Sequence, residues 1–166
     1  MHDGSSVPRV TKVRDLGVIW DSEPRLDSQV DAVVNSCLRV LGLITHLTSR
    51  FRTHHCILHL YKILVRSKAE YASVAWNFVG LVRSEKIEKV QRKLFGIIYD
   101  RYFKSKYFYN YEHLLNKCGL LSLRNRRLLN DLLFRHDIVA GDVDCPELLS
   151  SISFHVPVRK QRNSML

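Results

Sequence analysis

The chain has 166 residues and a mass of 19.4 kDa, enough for one domain with its own core, since domains commonly run to roughly 100–200 residues. Hydrophobic residues make up 46% and charged residues 25%, a globular composition that excludes a disordered tail, a collagenous rod and a low-complexity array. Twenty-six Lys and Arg against 16 Asp and Glu give a net charge of +10, so a polyanionic partner is expected.

Residues 1–11 are polar, with Gly4, Ser5, Ser6 and Pro8, and read as a disordered leader. From Lys12 to Trp20, β-branched and aromatic residues alternate in part and stop at Asp21-Ser22-Glu23-Pro24, which predicts one short strand and a turn over 12–26. A lone strand cannot satisfy its own backbone groups and calls for a sheet to join. Asp27 or Ser28 can then cap a helix whose apolar positions Val30, Val33, Val34, Cys37, Leu38, Leu41 and Ile44 recur at three and four residues. Thr53 is the expected cap of a second helix, with Ile57, Leu60, Tyr61, Leu64 and Val65 on one face and the run continuing to Trp76.

Gly80, Leu81 and Val82 read as a linker before Ser84 opens a third helix, with Ile87, Val90, Gln91, Leu94 and Ile98 inward. Residues 99–111, Y-D-R-Y-F-K-S-K-Y-F-Y-N-Y, interleave aromatics and cations without a period and predict a loop. A short helix over Glu112–Lys117 should stop at Gly119, and a longer one from Ser122 to Ala140 should stop at Gly141. Pro146 starts a last turn. The expected fold is therefore mainly α, a helical domain of about five helices over 27–140 with one short N-terminal strand, followed by an extension and basic tail over 141–166.

Chemistry-bearing motifs are weak. No uncharged apolar run approaches the roughly 18 residues of a membrane span, and the start M-H-D-G-S-S-V-P-R-V has no apolar signal core. Cys37, Cys56, Cys118 and Cys145 form no C-x-x-C pair, so free thiols and an intracellular setting are expected. Asp142 and Asp144 form a D-x-D in a turn-like stretch where acids serve capping and solubility. His55 and His59 stand one helical turn apart and could offer two nitrogens to zinc, but two ligands make no site and Cys56 points about 100° away around the helix. No nucleophile elbow or phosphate-cradling glycine loop occurs. The expectation is no catalytic residue, no metal and no cofactor.

Charge is more informative. Residues 83–135 hold 13 basic and 5 acidic residues, a net +8, against +3 for 1–82 and −1 for 136–166. The excess comprises Lys86, Lys89, Arg92 and Lys93 on the third helix, Arg101, Lys104 and Lys106 in the aromatic stretch, and Arg124, Arg126 and Arg127 at the start of the long helix. Such cations bind phosphates without reading sequence, and exposed Tyr or Phe can stack on bases. The alternative is a solvated face with the tyrosines packed inward.

Six short motifs in order carry a resemblance: V-R-D-L-G-V-I-W-D-S-E-P-R-L-D-S-Q-V (13–30), L-R-V-L-G-L-I (38–44), L-Y-K-I-L-V-R-S-K-A-E-Y-A-S-V-A-W (60–76), I-E-K-V-Q-R-K-L-F (87–95), C-G-L-L-S-L-R-N-R-R (118–127) and F-H-V-P-V-R (154–159). Together they resemble the region after the catalytic core of reverse transcriptases of non-LTR retrotransposons, in particular the jockey-like elements of arthropods. The resemblance implies that the D-L-G-V strand is the closing edge of a palm and that the helices form a thumb, which holds the template–primer duplex. It implies sequence-independent RNA or DNA backbone contacts for the basic segments, and packing and hydrogen-bonding roles for Glu70, Tyr71 and Trp76. The paired aspartates of such polymerases have no counterpart in the sequence. A fragment of a decayed element is expected, one that does not polymerise DNA and that can self-associate through surface left by the absent palm.

Overall fold

A computed structural model describes residues 10–22, 26–104 and 108–152. Most of the expected leader, Lys106 and the F-H-V-P-V-R stretch lie outside these residues. The described chain is mainly α, as its periodicities require. In order come β1 (Lys12–Asp15), β2 (Val18–Asp21), α1 (Asp27–Leu47), α2 (54–70), α3 (Ser73–Trp76), α4 (81–103), α5 (Tyr111–Lys117), α6 (Leu123–Ala140) and α7 (Pro146–Ser151). The chain divides into two compact units, residues 1–131 and 132–166.

The expected single strand is a hairpin. Lys12 pairs with Asp21 and Asp15 with Val18 in antiparallel register, leaving a two-residue turn at Leu16 (φ 44°) and Gly17 (φ 86°). Positive φ at both positions matches the right-handed twist of two flanking strands, so the segment supplies its own ladder partner instead of joining a sheet. Tyr71 closes the turn: its ring lies 3.4 Å from where a Cβ on Gly17 would stand, and its hydroxyl donates to the Leu16 carbonyl at 2.9 Å.

At the start of α1, Leu26 is left-handed and provides no side-chain cap. The acceptor comes instead from β2, where Asp21 Oδ2 takes the Ser28 N–H at 3.1 Å. Ile19 N–H donates to Gln29 Oε1 at 2.9 Å, so the hairpin is pinned to α1 through two backbone donors. The buried face Val30, Cys37, Leu41 and Ile44 packs on α4 and α2. Asp27 and Asp31 hold Arg83 and Lys86 of α4, the latter pair at 3.0 Å. α1 is also long and apolar enough to cross a bilayer by length and composition. Asp31 and Arg39 interrupt its apolar sequence, so no uncharged run marks it.

α2 starts after Thr53, as expected, but Thr53 gives no side-chain bond. It comprises an α segment His54–Leu60, a π segment Tyr61–Arg66 and a last turn Ser67–Glu70. Within the π segment the buried Tyr61 hydroxyl donates to Gln91 Oε1 at 2.9 Å, and Gln91 Nε2 donates to the Leu121 carbonyl at 2.9 Å. A polar relay thus crosses the core with its members satisfied, as burial demands. The helix does not run on to Trp76: Tyr71 is extended and Ala72 left-handed before α3.

α4 opens at Leu81, three residues before the expected start, with Gly80 as its cap position. Its predicted inward positions Ile87, Val90, Gln91, Leu94 and Ile98 are all buried. The expected loop at 99–111 begins as more helix, a π segment Tyr99–Phe103. Each aliphatic side chain buried this way contributes about 1.5–3 kcal/mol. The aromatics here mostly serve packing: Phe103 is buried, Tyr102 donates to the Phe51 carbonyl at 3.1 Å, and the Tyr99 and Tyr109 rings meet edge-on at 5.3 Å.

In α5, Asn110 Oδ1 caps by accepting from the His113 N–H at 3.0 Å, and the helix ends at Gly119 with φ 61°. Ser122 Oγ accepts from the Asn125 N–H at 3.1 Å, confirming the predicted start of α6. In the second unit, α6 ends at Gly141 with φ 83°, where Asp142 N–H returns to the Asp137 carbonyl at 2.9 Å. Pro146 then opens α7.

Candidate nucleic-acid interface

Two grooves in the first unit concentrate exposed cations. The first, of about 1110 Å³, lies between the hairpin, α1 and the end of α2. Arg14 enters from β1, Arg39 from α1 and Lys68 from α2, with Asn35, Ser36 and Ser67 between them. Its walls are held by the Ile19–Gln29 and Tyr71–Leu16 hydrogen bonds. Among the described residues no carboxylate lines it. Arg14, Arg39 and Lys68 are exposed and make no ion pair among the described residues. A concave surface of one sign focuses its field outward, and here that field attracts anions.

The second groove, of about 900 Å³, is bounded by α4, α5 and the start of α6. It brings together four predicted residues, Lys86, Lys89, Arg92 and Arg124, but also Glu85, Glu88 and Glu112. Arg92 pairs with Glu85 at 2.8 Å and lies 5.2 Å from the centre of the Tyr111 ring. Lys86 is held by Asp31. Glu88 is buried and accepts from the Tyr111 hydroxyl and from the Arg124 N–H at 3.1 Å. Burial, then the Glu88 carboxylate, raises the Tyr111 phenol far above its usual range. Acids therefore offset much of the positive charge here.

The remaining candidates separate. Lys93 and Lys104 are exposed outside both grooves. Arg101 is exposed but donates to the Thr45 carbonyl at 3.0 Å, which ties it to the end of α1. Arg126 is bound by Glu70 through Nε and Nη2, and that hydrogen bond raises its already high pKa. Arg127 is not a surface residue at all: it is 1% exposed. It donates to Asn77 Oδ1 at 2.9 Å and Ser84 Oγ at 2.8 Å, beneath Trp76. Burial lowers its pKa. It is a structural cation in the core, because the inward face of α6 falls on it rather than on its neighbour Arg124.

Glu70, Tyr71 and Trp76 do pack and hydrogen-bond, Trp76 Nε1 donating to the Tyr71 carbonyl at 2.9 Å. His55 and His59 are both exposed, and among the described residues no group of three or more His, Cys, Asp or Glu is placed to hold a metal.

Charge counting misses Arg14, Arg39 and Lys68 because they are far apart in a segment of low net charge. Only the pairing of the hairpin with α1 and α2 gathers them. Comparison of the chain with protein-family models, with curated proteins and with solved structures finds no match.

Proposed function

We propose that the chain is a thumb-like grip that holds the backbone of a nucleic-acid duplex without reading its sequence, akin to the segment after the palm in non-LTR retrotransposon reverse transcriptases. The groove formed by Arg14, Arg39 and Lys68, with no carboxylate in its lining among the described residues, carries the reading. Three cations in a concavity, with Asn35 and Ser36 as neutral donors between them, suit phosphate oxygens and present nothing that distinguishes one base pair from another. Lys89 and Arg124 in the second groove are further phosphate contacts. Under this reading the chain grips and does not polymerise, since no paired aspartates occur in the sequence.

Fluorescence anisotropy with DNA–RNA hybrids of several sequences, each over a salt series, tests it. Affinity should fall linearly on a log–log plot and be the same for every sequence. The Arg14→Ala, Arg39→Ala, Lys68→Ala triple variant should reduce the slope by about 2–3, at roughly 0.9 for each phosphate it no longer neutralises. An unchanged slope in a folded triple variant, or no salt-dependent binding by the parent chain, would refute the reading.

A further inference from the structure

A third concavity, of about 560 Å³, opens beside the start of α2. Three imidazoles, His54, His55 and His59, and two ammonium groups, Lys62 and Lys117, line it, and the remaining lining is aliphatic or thiol. Among the described residues no carboxylate lines it. The His54 ring stacks on His55 with centroids 4.4 Å apart, and its other neighbours are Phe103 at 5.1 Å and Tyr102 at 6.1 Å. The Lys117 ammonium lies 4.7 Å from the centre of the same Phe103 ring. An aromatic wall from α4 therefore holds an imidazole of α2 and an ammonium of α5 side by side.

The titratable groups facing this space are the three imidazoles, Cys56 and Lys62 from α2, Lys117 and Cys118 from α5 and its end, and the Tyr102 phenol from α4. Burial first, then His55 and Lys117, holds His54 below its ordinary value. The lining carries two positive charges when the imidazoles are neutral and five when they are protonated. Like charges crowded in a concavity repel, and a multivalent anion seated among them turns that repulsion into attraction.

We propose that this groove is a proton-gated phosphate site, which admits a phosphate-bearing anion when its imidazoles are protonated. Occupancy and protonation are then linked: the anion raises the imidazole pKa values, and acid tightens the anion. The site is separate from the hairpin groove and does not depend on it.

The test is an NMR titration of the histidine ring protons against pH, with and without saturating tripolyphosphate. The midpoints of His54, His55 and His59 should rise by about half a unit or more, which is at least threefold tighter binding per proton. Those of the exposed His46 and His136, elsewhere on the chain, should stay put. Binding should be at least tenfold tighter at pH 5.5 than at pH 8, and the exposed pair His55→Gln, His59→Gln should cut that ratio to about threefold, the share of His54 alone, with the circular dichroism unchanged. That variant separates the groove from the ligand's own protonation. Equal shifts with a single-stranded oligonucleotide would place the phosphate on a nucleic-acid strand, and shifts with tripolyphosphate alone on a free polyphosphate; either supports the site. The Arg14→Ala, Arg39→Ala, Lys68→Ala variant should keep the shifts whatever happens to its duplex affinity. Midpoints that stay fixed, or that move no more than those of His46 and His136, overturn the proposal.

Discussion

The Glu70 carboxylate accepts from both Nε and Nη2 of Arg126, 56 residues further along, and so joins the last turn of α2 to the first turns of α6. The pair is only partly exposed, with side chains at 14% and 26%, so it exceeds the near-zero worth of a solvated surface pair. Glu70→Ala should lower stability by about 1–3 kcal/mol in urea unfolding, since it strands the guanidinium. A cycle with Arg126→Ala should show coupling of about 0.5–3 kcal/mol. Additive single effects would show that the bidentate contact contributes nothing.

Gly17 is the tightest point of the hairpin. An added methyl there meets both a left-handed backbone and the Tyr71 ring. Gly17→Ala should destabilise by about 1 kcal/mol or more, and Gly17→Val further, as read from urea unfolding midpoints. Tyr71→Phe in the Gly17→Ala background should recover little, because the ring remains when the hydroxyl goes.

Arg124 and Arg127 are three residues apart and should behave oppositely. Arg127→Ala removes a buried guanidinium bonded to Asn77 and Ser84 and should lower stability by about 3 kcal/mol or more. Arg124→Ala should leave the melting temperature within a degree or two and lower the salt slope of duplex binding by about one. Thermal unfolding and anisotropy on the same two variants give the comparison.

The Cys37 thiol is buried beside the Val65 carbonyl, and burial pushes its pKa up to about 11 from 9.0. The unfolded thiol ionises first, so the unfolded state binds fewer protons between these values. Stability present below pH 9 should therefore fall as pH rises from about 9 towards 11. A Cys37→Ala variant should show a shallower decline over this window than the parent. With a thiol reagent at pH 8, Cys37 should be the last of the four cysteines to react.

The legible parts of the fold were those set by local period. The inward residues of α4, from Ile87 to Ile98, follow a 3.6-residue repeat, and the stops at Gly119 and Gly141 follow from glycine's tolerance of positive φ. The hairpin was hidden because Leu16, an unusual residue for a positive φ, masks the turn that Gly17 alone only hints at. The continuation of α4 through Tyr99–Phe103 was hidden because a π segment shifts the repeat that identifies a helix. In the candidate interface, composition found the cations of α4 but could not distinguish Arg124 from Arg127. That distinction depends on which face of α6 meets Trp76 and Asn77, a tertiary fact. Arg14, Arg39 and Lys68 escaped for the same reason.

The π segment of α2 has an evolutionary reading. A π turn accommodates the equivalent of one extra residue in an α-helix, so Tyr61–Arg66 behaves as an absorbed insertion. Deleting one residue there would restore an ordinary α-helix and leave the residues beyond it facing as they do, whereas a deletion in a regular α turn would rotate everything downstream by about 100°. Glu70 would still face Arg126, and Tyr71 the hairpin turn. The wide turn thereby lets the helix differ in length by one residue while the Arg126 clasp and the closed hairpin turn beyond it persist.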